Sequence, residues 1–272
     1  MPDCDNNCAA CGQDCPSRQA ENLRVQANEL SHVKKVYAVV SGKGGVGKSL
    51  TTSLLAVNAR RAGKATAIID ADLTGPSIPK AFGLKEMATA NETTIFPVRT
   101  KTGIETISLN LLLDDPAAPV IWRGPILAGL IKQFWTDVAY GDIDELYIDM
   151  PPGTGDVPLT VFQSLPIDGI IVVTSPQDLV SLIVEKAVRM AEMMKVPVLA
   201  MVENMAYLDC PHCGERIYPY GQGGKKEADR LGIPLYESLP IDPRLAKLVD
   251  EGKIEDYEGE YLADLSAYLH SI

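Results

Sequence analysis

The stretch Gly42-Lys43-Gly44-Gly45-Val46-Gly47-Lys48-Ser49 fits the pattern G-x-x-x-x-G-K-[ST] without a mismatch. It follows the apolar run Val36-Tyr37-Ala38-Val39-Val40 and precedes the helix-like stretch Thr51 to Arg61. A strand that delivers a glycine-rich turn into a helix N-terminus aims successive backbone N–H groups and the helix dipole at one point, which is what a chain of phosphate oxygens requires. The loop is therefore expected to bind a nucleotide through Gly42, Gly44, Gly45, Val46, Gly47 and Leu50. Lys48 is expected to reach the β- and γ-phosphates, and the Ser49 hydroxyl to bind Mg²⁺.

From Val36 onward strand-like and helix-like patterns alternate, which predicts an α/β fold: a mostly parallel sheet with helices on both faces. Strands are expected at Val36 to Ser41, Ala65 to Asp70, Ile104 to Leu109, Leu146 to Asp149, Gly169 to Thr174, Val198 to Glu203 and Leu235 to Leu239. Helices are expected at Lys48 to Ala62, Pro125 to Ala139, Leu179 to Met194, Lys225 to Leu231, Arg244 to Glu251 and Tyr257 to His270. A leading helix is read over Arg18 to His32. This divides the chain into a cysteine-rich segment with its leading helix, 1–34, and a nucleotide-binding domain, 35–272. His32 and His270 have no motif context and read as surface residues.

Ligands of such sheets sit beyond the carboxyl ends of the strands. There the chain places Asp70 and Asp72, two carboxylates at i and i+2, where strand alternation turns both to one side. One can order the Mg²⁺ shell or the attacking water while the other accepts its proton. Asp149 ends another apolar strand, placed to hold Mg²⁺ through water or through Ser49, and Gly153 follows where its N–H could sense a γ-phosphate. Asn204 follows the sixth expected strand, and its amide offers a donor and an acceptor to an adenine edge.

The net charge of −11 argues against a general nucleic-acid-binding surface, and no local basic patch compensates. No apolar run has the length of a bilayer span, and the N-terminus is polar, so a cytoplasmic protein is expected, without a membrane role. In that reducing compartment six cysteines read as metal ligands or redox groups before disulfides. Cys210-Pro211-His212-Cys213-Gly214 is a knuckle presenting two thiolates, too few to close a tetrahedral site. The missing ligands come from His212 and another residue, from the N-terminal cysteines, or from the same knuckle of a second subunit, which a two-fold axis brings together. Cys4, Cys8, Cys11 and Cys15 lie close enough to close one site in a single chain. Iron-sulfur and zinc chemistry fit both cysteine sets.

With Lys43 near its start, the loop resembles the deviant Walker A sequence of the MinD/ParA/nitrogenase-iron-protein group of dimeric ATPases, a P-loop NTPase fold of the SIMIBI type. D-A-D-L-T-G-P-S, D-M-P-P-G-T-G-D, S-P-Q-D-L, V-E-N-M-A-Y with C-P-H-C-G, and P-I-D-P-R extend the similarity to the Mrp/ApbC-type iron-sulfur cluster carrier ATPases. The resemblance implies a slow, switch-like ATP hydrolase in which Lys43 reaches the nucleotide of the partner subunit and Asn204 contacts the adenine. It implies a labile 4Fe-4S cluster bridged by Cys210 and Cys213 of a homodimer and passed to apo-proteins. Eukaryotic relatives also carry four N-terminal cysteines, but with wider outer gaps than here, a departure that counts against a permanently bound, ferredoxin-like cluster; a second cluster, zinc, and an unmetallated or redox-active tail are the readings of that set. A MinD/ParA-like organiser with structural zinc and an electron-transfer ATPase like the nitrogenase iron protein are the alternatives. The acidic last helix disfavours the first, and the C-x-x-C spacing differs from the second.

Overall fold

A computed structural model describes residues 24–72, 75, 77–113, 124–153, 155–176 and 181–272. The elements run β1 (Ser31–Ser41), α1 (Lys48–Arg61), β2 (Thr66–Asp70), α2 (Ile78–Ala81), β3 (Thr89–Ala90), β4 (Ile95–Phe96), β5 (Val98–Arg99) and β6 (Glu105–Ser108). They continue with α3 (Gly124–Thr136), β7 (Gly141–Asp149), α4 (Asp156–Ser164), β8 (Gly169–Thr174), α5 (Ser181–Met194) and β9 (Val198–Asp209). The chain ends with β10 (Arg216–Ile217), α6 (Gly224–Arg230), β11 (Leu235–Pro240), α7 (Pro243–Asp250) and α8 (Ala263–Ser271). The main sheet has the order β10-β9-β8-β1-β7-β2-β6-β5, with β11 on β9. Its central pairs are parallel, and only β5 and β10, at the margins, run antiparallel to their neighbours.

Period-two alternation divides the apolar runs between two cores. Val36, Ala38 and Val40 of β1 face one cluster with Ile131 and Phe134 of α3, Phe162 of α4 and Val184 of α5. Tyr37 and Val39 face the other, with Leu54 and Leu55 of α1, Leu245 of α7 and Leu265 of α8. Because β1 lies in the middle with α1 against one face, the loop joining them opens at the carboxyl edge of the sheet, flanked by the ends of β2, β7 and β8.

The expected leading helix is not formed over its described part. Residues 24–28 are irregular, 29–30 turn, and Ser31 and His32 already belong to β1. Asn28 accounts for the difference: its side chain accepts the Leu30 N–H at 3.0 Å and its carbonyl accepts the Ser31 N–H at 2.9 Å, a turn that competes with helix. The outer part of that helix and the four N-terminal cysteines lie outside the described residues. His32 is exposed as expected, but His270 is not a plain surface residue. Its Nε2 stands 3.5 Å from a carboxylate oxygen of the buried Glu145.

The last helix begins with Leu262 in the left-handed region, and that residue offers no side-chain cap. Glu237 of β11 substitutes for one, accepting the N–H groups of Asp264 and Leu265 at 3.1 and 3.4 Å. Glu237→Ala should therefore lower stability by about 1 kcal/mol, as loss of an N-cap does, measured by urea unfolding. An unchanged midpoint would show that water replaces the carboxylate.

Candidate functional site: a phosphate loop and a two-thiol knuckle

The phosphate loop ends in Gly47, which caps α1 with φ +91°. This left-handed geometry favours glycine, and the space is closed besides: a Cβ at Gly47 would stand 2.0 Å from the Asn204 amide nitrogen. Lys43, Gly44 and Gly45 are exposed at the loop tip, whereas Lys48 is buried.

Three strands set the acidic floor. Asp149 is in register with Asp70, and Asp70 with Ser108, so strand pairing places these side chains in one row across β7, β2 and β6. Lys48 Nζ lies 2.7 Å from Asp149 Oδ1 and 3.6 Å from Asp72 Oδ2. Ser49 Oγ donates to Asp149 Oδ2 at 2.5 Å, and Thr52 Oγ1 to Asp149 Oδ1 at 3.2 Å. Asp70 accepts the Ser108 hydroxyl at 3.1 Å and the Asp72 N–H at 3.3 Å. Burial, with repulsion from Asp149, holds the Asp70 carboxyl well above the usual range. Burial likewise raises Asp149, opposed by the Lys48 ammonium.

Asp149 and Asp72 around one ammonium leave the floor short of positive charge, and the oxygens of Ser49 and Asp149 are the hard donors that Mg²⁺ takes. The residues thus fit Mg²⁺, and the exposed glycine loop above them fits phosphates. Thr52 and Ser108 were not singled out from sequence. Thr52 carried the signal of helix spacing, one turn beyond Lys48, whereas Ser108 carried only that of a polar end to an apolar strand.

Gly153 has φ +90°, and its N–H donates to Ser41 O at 2.8 Å, so the group expected to sense phosphate is bonded at the root of the loop. Asn204 is not beyond its strand, because β9 continues to Asp209. Its amide nitrogen donates to Val46 O at 3.0 Å, tying it to the loop. The motif P-I-D-P-R has a local explanation: Asp242 caps α7, accepting the Arg244 N–H at 2.9 Å, and Pro243 occupies the first helical position.

The cysteine knuckle is the turn between β9 and β10. Cys210 N donates to Glu215 O and Gly214 N to Cys210 O, both at 2.9 Å. Asp209 and Arg216 pair in register and through an ion pair at 2.9 Å, and the Arg216 guanidinium stacks 3.7 Å above the Tyr207 ring. Cys213 is exposed and Cys210 half-buried, neither in a disulfide. Backbone hydrogen bonds from Cys213 and His212, with the Cys213 thiol, hold the Cys210 thiol below the usual cysteine range. Among the described residues no group of three or more His, Cys, Asp or Glu side chains is arranged to hold a metal. Nor is any helix among them long and apolar enough to cross a membrane.

The ParA family described as NUBPL iron-transfer P-loop NTPase matches residues 32–269. An iron-sulfur cluster carrier protein of Methanocaldococcus jannaschii is 41% identical over 261 residues, which cover 93% of this chain and 90% of that protein. The cytosolic Fe-S cluster assembly factor CFD1 of Saccharomyces cerevisiae is 37% identical, over 85% of this chain and 82% of its own. Among solved structures, a nucleotide-binding protein of Archaeoglobus fulgidus in complex with ADP has TM-score 0.77 and 45% identity, covering 85% of this chain and 91% of that one. MinD of Pyrococcus horikoshii, with TM-score 0.60 and 18% identity over 88% of this chain and 96% of its own, shares the fold. This chain belongs to the ParA-type family of iron-transfer P-loop NTPases.

Proposed function

We propose that the protein is an ATP-dependent iron-sulfur cluster carrier of the cytoplasm, a homodimer that holds a labile 4Fe-4S cluster on Cys210 and Cys213 of both subunits and passes it to apo-proteins. The observation that carries this reading is the knuckle itself: two thiols at the tip of a hairpin, with no further ligand among the described residues. An isologous contact doubles the pair to the four thiolates that a 4Fe-4S cluster takes. The division into a cysteine-rich segment 1–34, with Cys4, Cys8, Cys11 and Cys15 as a second metal site, and an ATPase domain 35–272 belongs to the same proposal.

In this reading Lys48 exchanges Asp149 and Asp72 for the β- and γ-phosphates, and the loop N–H groups from Gly42 to Leu50 orient the phosphate chain. Mg²⁺, held by Ser49 with Asp149 behind it, supplies neutralisation of phosphate charge. Asp72, the more exposed of the two β2-end carboxylates, positions the attacking water; Asp70, buried and raised, supports it. Gly153 leaves Ser41 O when a γ-phosphate is present, and Asn204 keeps its Oδ1 for the base while its amide nitrogen holds the loop. Hydrolysis is slow and serves as a switch.

Lys43→Ala should leave ATP affinity nearly unchanged and lower turnover. A cation supplied across an interface is worth on the order of 10³ in kcat in other phosphoryl-transfer enzymes. Asp72→Ala should bind Mg²⁺-ATP yet hydrolyse it poorly; wild-type turnover in that variant would leave the role to Asp70. The reading as a whole is tested by iron and sulfide content after anaerobic purification, followed by transfer to an apo-acceptor without added reductant. Bound zinc in place of iron, or transfer of electrons with the cluster retained, would contradict it.

A further inference from the structure

We propose that the bulge at residues 204–206 is the joint through which occupancy of the phosphate loop resets the knuckle of Cys210 and Cys213, with Met205 as its positioning residue. The proposal rests on the nucleotide site and knuckle of the preceding reading and adds the connection between them.

One strand carries both sites. Asn204 of β9 is fastened to the loop through Val46 O at 3.0 Å, and its amide packs so closely on Gly47 that a Cβ there would stand 2.0 Å from it. Six residues later Cys210 follows directly on the end of the same strand at Asp209. Between them the strand is interrupted once. Glu203 pairs with Ser238 of β11 and Tyr207 with Pro240, so three residues of β9 stand opposite the single residue Leu239. Within that bulge Met205 has φ +58°, the left-handed region that a residue with a Cβ rarely enters. Strain of this kind persists where surrounding contacts over-determine it.

Beyond the bulge the strand is a stiff arm. Ile241 N donates to Tyr207 O at 2.7 Å, Leu208 and Asp209 pair with Ile217 and Arg216, and the Arg216 ion pair and ring contact brace the hairpin. A shift of Asn204 is therefore either taken up at residues 204–206 or carried to Cys210. A joint held in one strained geometry by Met205 carries it. A joint made of glycine, free in φ, absorbs it.

The test uses the full chain, metal-free, with Cys4→Ser, Cys8→Ser, Cys11→Ser and Cys15→Ser, which leaves Cys210 and Cys213 as its thiols. Alkylation by iodoacetamide is timed with and without saturating Mg²⁺-ATP. Nucleotide should change the rate by roughly fivefold or more, the usual lower range of coupling between two sites. Met205→Gly should bring the ratio to about one at unchanged ATP affinity. Met205→Asn, which tolerates the left-handed region, should retain it. Asn204→Ala, measured at saturating nucleotide, should also abolish the ratio by cutting the tie to Val46, a result independent of how the glycine variant folds. A wild-type ratio of one, or a ratio that survives Met205→Gly or Asn204→Ala, overturns the proposal. Because no iron is used, loss of the carrier reading on iron content is a separate result. Conversely, cluster uptake and transfer with nucleotide-insensitive thiols would overturn the joint alone.

Discussion

Lys48→Ala should abolish ATP binding and also weaken the fold, with the stability deficit shrinking as the pH falls. Lys48 is 6% exposed, and its ammonium bonds a carboxylate of zero exposure, Asp149, while approaching Asp72. Removing one partner of a buried pair leaves the other uncompensated, a loss on the order of 3 to 5 kcal/mol. Burial already raises Asp149, and Lys48 is the main influence holding it down, so the variant moves its folded pKa further above the unfolded value. A group shifted upward favours the protonated fold. Its stabilisation is present below the unfolded pKa, near ~4 for Asp, and is lost as pH rises through the folded pKa. Urea unfolding of wild type and variant from neutral pH down towards that range should therefore show converging midpoints. A constant gap would mean that the lysine acts by packing and not by charge.

Much of this arrangement was legible because β1 shows the strand period plainly and the glycine-rich loop follows it directly. Val36 to Val40 alternate between two cores, and the loop that follows needs its glycines where the backbone turns left-handed and meets Asn204. The carboxylates at strand ends were legible for the same reason, since strand register puts Asp70 and Asp149 in one row. What escaped was decided by context. Helix α4 was not foreseen because Pro158 reads as a breaker, although proline is tolerated in a first turn. Strand β7 begins earlier than expected: Asp144 and Glu145 interrupt its apolar pattern, yet Asp144 accepts the Ala65 N–H and Lys34 Nζ, and Glu145 the Tyr147 hydroxyl. The expected end of strand β9 at Glu203 falls where the chain bulges; pairing resumes at Tyr207 and the strand continues to Asp209.

Cys210→Ser and Cys213→Ser should each abolish iron at the knuckle and leave ATP binding intact. The two thiols share one five-residue turn, so a shared site across a two-fold axis loses two of its four ligands with either substitution. The phosphate loop and Asp149 stand on other strand ends and keep their own bonds to Ser49 and Lys48. The knuckle is exposed at Cys213, so a chelator or apo-acceptor should reach and remove its iron directly. Loss of ATP binding together with iron would mean that the knuckle supports the nucleotide fold itself.

The measurement that bears most directly on a cluster shared between subunits is iron per protomer in the reconstituted protein with its N-terminal cysteines replaced by serine, taken together with molecular mass in solution. A bridging 4Fe-4S cluster requires two chains, so about 4 iron per dimer, or two per chain, should accompany a dimeric mass. A full cluster on a monomer, or iron unaffected by Cys213→Ser, would contradict the account.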